Sequence, residues 1–182
     1  MFSLTSPVLV EQGVMPDKYT LAKGENVSPP LQWSGAPEGT RSFALSNVDP
    51  DVPWGSFGLP PAGTLFADLF VHWVAHDIPA SVASLPEGAG APGALPQGAQ
   101  NLNNTARDFG EGTPFWQHRE GWIGCAPPAG DKAHRYVFTL YALNEASLGL
   151  SPDAHYSDFI EALKGKVIAT TSLTVYFGVK GE

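Results

Sequence analysis

A chain of 182 residues, 43% of them hydrophobic, is long enough to bury one sizeable core. Its net charge of −8 disfavours nucleic acid and anionic membrane surfaces as partners, because both attract basic surfaces. Cys125 is the only cysteine, so no internal disulfide can form, which favours a reducing compartment.

With 20 Gly and 17 Pro, the chain is punctuated as in a domain of short strands and turns rather than a helical bundle. The first 14 residues contain Glu11 and no basic residue, unlike a signal peptide. No apolar run approaches the ~20 residues that span a bilayer. These features predict a cytoplasmic protein, one domain over residues 1–182, without a transmembrane segment.

In chain order, Arg41 to Val48 is mainly apolar and stops at Asp49-Pro50, a strand with a turn signal. A Gly- and Pro-rich loop follows from Trp54 to Gly63. Ala67 to Ile78 is a long apolar strand bounded by Pro79. A second loop, Ala83 to Gln100, is long enough to be functional or mobile. His134 to Leu143 is rich in aromatic and β-branched residues, as is Val167 to Val179. The near-continuous apolar character of Ala67–Ile78 and His134–Leu143 predicts strands covered on both faces. Between them and the last strand, Ser151 as N-cap and Pro152 at the first position predict a helix. Its apolar face would hold Tyr156, Phe159, Ile160, Leu163 and Val167, with Gly165 as its stop.

Four places carry side chains that could do chemistry. Asp49 and Asp51 are two residues apart and project to one side of an extended segment. Pro50 and Pro53 stiffen it. By itself the segment reads more readily as a turn with Asx-type caps than as a site. His72 and His76 alternate with apolar residues along Phe70 to His76, which puts Phe70, His72, Val74 and His76 on one face and Val71, Trp73 and Ala75 on the other. Taken alone they read as core histidines with satisfied ring nitrogens. His134 and Tyr136 share a face, and Arg135 points the other way towards a salt bridge or the opposite surface. His118 lies in an aromatic loop and reads as a surface residue. No G-x-S-x-G elbow, phosphate loop, G-x-G-x-x-G, H-E-x-x-H or paired C-x-x-C is present, so no cofactor and no metal site is expected. Cys125 with His134 is a weak candidate for a nucleophilic pair.

Taken together, these pieces resemble the phosphatidylethanolamine-binding proteins, and most closely their bacterial, Raf-kinase-inhibitor-like branch. The resemblance runs through Asn26-Val27-Ser28-Pro29-Pro30-Leu31-Gln32-Trp33, Gly35-Ala36-Pro37-Glu38-Gly39-Thr40, Asp49 to Pro53, His72-Trp73, Pro127-Pro128-Ala129-Gly130 and His134-Arg135-Tyr136, and ends around Glu161 to Val167. It implies a mostly β fold, with a large central sheet, a smaller antiparallel sheet packed on it and short C-terminal helices. It implies a pocket for a small phosphate-like anion or a phosphoethanolamine head group, walled by Asp49, Asp51, Pro53, His72, Pro127, Pro128, His134 and Tyr136. Carboxylates beside imidazoles would keep His⁺ available to grip such an anion.

The alternatives in the same family are inhibition of a kinase or protease through the loops and, less favoured, a hydrolase using His72 or His134 as base. A homodimer is an analogy with bacterial relatives. The sequence departs from the family in having Ala126 between Cys125 and Pro127, and in the extra stretch from Trp54 to Asp68.

Overall fold

The computed structural model describes residues 1–52 and 69–181. Within them, strands dominate and form two antiparallel sheets. The larger has the order β6 (Gln100–Asn101), β4 (Phe70–Pro79), β3 (Ser42–Asp49), β7 (His134–Leu143) and β8 (Val167–Phe177). The smaller has the order β1 (Ser3–Thr5), β2 (Leu31–Ser34) and β5 (Ser84–Leu85). The expected architecture of a small sheet on a large one is therefore present.

Apolar alternation explains how the sheets meet. Leu31 and Trp33 face inward from β2 while Gln32 and Ser34 face out. They pack with Leu4 and Leu85 on Phe43, Leu45, Trp73, Tyr136, Phe138 and Leu140 of the large sheet, forming the inter-sheet core. Trp33 meets Phe43 edge-on at 5.5 Å between ring centres, the geometry favoured by ring quadrupoles.

The opposite face of the large sheet carries a second core, built from Ala44, Val71, Val74 and Leu143 with Phe159 and Leu163 of α1 (Tyr156–Leu163), the one α-helix among the described residues. Burying Phe159 completely stabilises this layer by about 1.5–3 kcal/mol. The helix starts later than Ser151 and Pro152 predict. Ser151 instead caps a turn, accepting from the Asp153 N–H through its hydroxyl and from the Ala154 N–H through its carbonyl. The helix itself begins after His155, whose N–H donates to the Asp158 carboxylate at 2.8 Å, closing the first turn. Gly165 takes φ +73° and reverses the chain. Val167 consequently opens β8 and is 39% exposed, rather than extending the apolar face of the helix.

Strand boundaries otherwise follow the sequence closely: β7 spans His134 to Leu143 as expected, and β8 stops at Phe177 rather than Val179. Double-sided burial holds along β4 but not β7, where Arg135 is exposed and Val137, Thr139 and Tyr141 are half-buried. The stretch from Ala83 to Gln100 forms β5 and the start of β6, joined by tight turns such as Ala89 N–H to the Pro86 carbonyl. Trp54–Gly63, the extra stretch Trp54–Asp68 and Pro53 lie outside the described residues.

Simple alternation fails at one place that matters. Opposite Asn47 and Val48 of β3, the β4 partners step from Trp73 to Val71, so His72 is an extra residue on β4. A second extra residue occurs where Phe43 and Leu45 pair with Ile78 and Ala75, and there Asp77 takes φ +55°. Such bulges twist a strand and re-aim its side chains. Val71 and Val74 accordingly share the helix-side core, while Trp73 and Ala75 enter the inter-sheet core.

Candidate functional site

At one end of the large sheet, three strand termini converge. Asp49 closes β3, His72 bulges from β4 and His134 opens β7 two residues before Tyr136. Their exposures are 2%, 5%, 2% and 1%, so all four polar side chains are buried. Two loops close over them. Thr20 to Asn26 packs on Ile123 to Cys125, with Leu21 and Ala22 N–H groups donating to the Cys125 carbonyl and the Gly124 N–H donating to Asn26 Oδ1 at 2.6 Å. Gly124 is required there. A Cβ at that position would lie 2.4 Å from the Tyr19 carbonyl oxygen and 2.7 Å from the Leu21 nitrogen.

The cavity so formed is lined by Asp49, His72, Tyr136, Gly124, Ala126 and Pro127, with apolar walls from Leu21, Val52, Phe70, Phe115 and Ile123. An apolar recess with a few convergent polar groups is the usual form of a small-ligand site.

Inside, each polar group has a definite partner. Asp49 accepts the Asp51 N–H through Oδ1 at 2.8 Å and His134 Nδ1 through Oδ2 at 2.8 Å. His134 Nε2 meets Asp131 Oδ2 at 3.2 Å. Each ring nitrogen of His134 thus faces a carboxylate. His134 therefore orients Asp49 from behind and does not line the cavity.

His72 Nδ1 donates to the Ile123 carbonyl at 2.6 Å, which leaves Nε2 on the cavity side. Burial pushes the His72 pKa below its ordinary value, outweighing the pull of Asp49. Neighbouring carboxylates thus do not hold this ring charged, as the sequence had led us to expect. Tyr136 stands edge-on to His72 at 5.1 Å between ring centres. Burial raises the pKa of its hydroxyl.

Asp51 goes elsewhere. It receives Arg135 in a fork, from Nη2 at 2.9 Å and Nε at 3.0 Å, together with the Arg135 N–H at 2.9 Å. The guanidinium holds its carboxyl down at about 2. The salt bridge foreseen for Arg135 thus consumes the second acid of the pair, which does not reach the cavity wall. Pro127 lines the cavity, whereas Pro128 is half-buried beside it and its carbonyl accepts the Asp131 N–H at 3.3 Å. Cys125 is fully buried, and burial pushes its thiol pKa well up, so it is a neutral thiol and not an activated nucleophile. His76 is buried with Nδ1 on Asp77 at 2.9 Å, and His118 Nδ1 accepts from Asn26 Nδ2 at 3.3 Å. Among the described residues, no group of three or more His, Cys, Asp or Glu side chains could hold a metal ion.

Sequence reasoning missed the apolar wall. Leu21, Val52, Phe70, Phe115 and Ile123 come from separate segments, and only Phe115, in an evident aromatic loop, carried a local signal. Asn26 was visible within a quoted motif, but its bond to Gly124 is a tertiary contact.

A strand-rich fold with a small, half-apolar recess at the end of its main sheet is the layout of a ligand-binding protein. A family model described as phosphatidylethanolamine-binding protein matches residues 5–178. YbcL of Escherichia coli is 36% identical over 160 residues, covering 87% of this chain and 75% of YbcL. A UPF0098 protein of Methanothermobacter thermautotrophicus is 36% identical over 163 residues, 90% of this chain and 89% of that protein. The crystal structure of E. coli YbcL matches with a TM-score of 0.80 at 32% identity, over 98% of this chain and 99% of that one. The chain belongs to the phosphatidylethanolamine-binding protein family, on its bacterial-type branch. No helix of the described residues is long and apolar enough to cross a membrane.

Proposed function

We propose that the protein is a non-catalytic binding module for a small phosphoryl group, either free phosphate or a phosphoethanolamine head group. The observation that carries this reading is the convergence of Asp49, His72 and Tyr136 on one apolar-walled recess. Main-chain donors are scarce there, because the Leu21, Ile123 and Gly124 N–H groups are already engaged. The Ala126 N–H has no partner among the described residues and is free to donate to a ligand oxygen. The apolar wall suits the carbon chain attached to such a group. A binding role also agrees with the neutral thiol of Cys125 and with His134 being held between two carboxylates. We read residues 1–182 as one domain acting in the cytoplasm, where a lone buried cysteine is at home.

Isothermal titration of the whole chain with sodium phosphate, O-phosphorylethanolamine and ethanolamine at pH 6.5 tests the reading. Binding of either phosphoryl compound is expected. Binding of ethanolamine with neither phosphoryl compound would replace it by a cation site.

A further inference from the structure

The side chains facing the recess have an unusual balance. Asp49 is a carboxylate and only accepts hydrogen bonds. Its two oxygens already take the Asp51 N–H and His134, but each keeps a lone pair for a ligand. His72 spends its Nδ1 proton on the Ile123 carbonyl, and with the ring neutral Nε2 is a second bare acceptor. Burial favours that neutral ring. Tyr136 is the third polar side chain, and its hydroxyl can accept as well as donate. The neighbouring basic side chains are committed elsewhere, His134 to Asp49 and Asp131, and Arg135 to Asp51.

A fully ionised oxyanion would set its lone pairs against those of Asp49 and His72 in a buried space. An unmet buried acceptor is costly, and more so when charged. A ligand that carries its own proton donates to one of them and removes the conflict.

Building on the phosphoryl-binding reading, we infer that the site recognises the proton of its ligand: it takes an oxyacid group that still bears a P–OH, and discriminates against oxyanions of the same shape without one. Inorganic phosphate keeps such a proton throughout the neutral range. A phosphate monoester loses its last one near pH 6. Sulfate has none. The groups that face the recess and could alter this balance are Asp49 from β3, His72 from β4 and Tyr136 from β7, with Cys125, His134, Asp131, Asp51 and Arg135 packed behind them.

The test is a titration series on the full chain with inorganic phosphate, methyl phosphate and sulfate at pH 5.5 and pH 8. Methyl phosphate has no amine that could stand in for the P–OH. Phosphate is expected to bind at both pH values. Sulfate is expected to bind at least roughly tenfold more weakly at both, the size of one unmet buried acceptor. Methyl phosphate is expected to bind at pH 5.5 and to lose roughly 10- to 100-fold at pH 8, following its protonated fraction. Sulfate at pH 5.5 separates the ligand's proton from that of His72, since a protonated His72 would admit sulfate too.

Asp49→Asn, which adds an N–H donor, is expected to narrow the phosphate-to-sulfate ratio. Thermal melting checks its fold, and if it does not fold the wild-type series decides alone. Sulfate binding as tightly as phosphate at pH 8 overturns the inference and leaves the phosphoryl reading standing. Failure of both phosphate and methyl phosphate at either pH removes the phosphoryl reading, and the inference with it.

Discussion

Replacing Asp49 by alanine tests how the recess is built. The carboxylate is 2% exposed and satisfies two donors, the Asp51 N–H at 2.8 Å and His134 Nδ1 at 2.8 Å. Alanine leaves the Asp51 N–H without its acceptor, a loss of about 1–3 kcal/mol if no water replaces it. It also leaves a buried imidazole facing only Asp131, which is about one-third exposed. Breaking a buried charged pair by removing one partner costs about 3–5 kcal/mol, and the two losses overlap because one carboxylate serves both donors. The expected total is therefore about 3–5 kcal/mol, or roughly 6–20 °C in melting temperature for a chain of this length.

Asparagine keeps an oxygen for the Asp51 N–H and fills the same space, so it should cost less than alanine. Urea unfolding followed by far-ultraviolet circular dichroism gives both values. A double-mutant cycle with His134→Ala should show coupling of about 0.5–3 kcal/mol. Losses below about 1 kcal/mol for Asp49→Ala, or an additive cycle, would refute the view that this pair sets the geometry of the site.

Two further predictions concern the same region. Because burial lowers the His72 pKa, the folded state binds the proton less readily than the unfolded chain. Its contribution is therefore complete above the ordinary histidine value near 6.5 and declines as pH falls below it. Urea midpoints measured from pH 8 to pH 5 should fall for the wild type and fall less for His72→Gln; parallel profiles would contradict the assignment. Gly124→Ala should destabilise by about 1–3 kcal/mol, since its Cβ meets the Tyr19 carbonyl and the main chain of Leu21. Hydrogen exchange should show faster opening of residues 19–26 in that variant, and unchanged exchange there would mean that the loop does not depend on this close approach.

Local chemistry was enough to read much of this protein. Apolar and β-branched runs located β3, β4, β7 and β8, because each buries at least one face and so needs a sustained pattern. The order of the short Asp-Pro, His-Trp, Pro-Pro and His-Arg-Tyr segments was enough to indicate the family. Parity along β7 correctly separated Arg135 from His134 and Tyr136, because side chains alternate along an unbroken strand.

Folding decided the roles within the site. Parity could not foresee the bulge that makes His72 an extra residue on β4, because a bulge is defined by the partner strand. Asp49 and Asp51 looked equivalent in sequence. Arg135, itself on β7, took one of them and His134 the other, a division that depends on which strand end lies alongside. The early turn at Ser151 imitated a helix start, because the same side-chain oxygen that caps a helix also closes a turn. The apolar wall was assembled from loops far apart in the chain, and its members have no common spacing to read. The sequence by itself therefore determined the strands, the family and the polar residues at the strand ends. Tertiary packing determined which of them face the ligand space, which are held behind it, and that those facing it are chiefly acceptors, since burial and partner choice exist only once the sheets and loops have met.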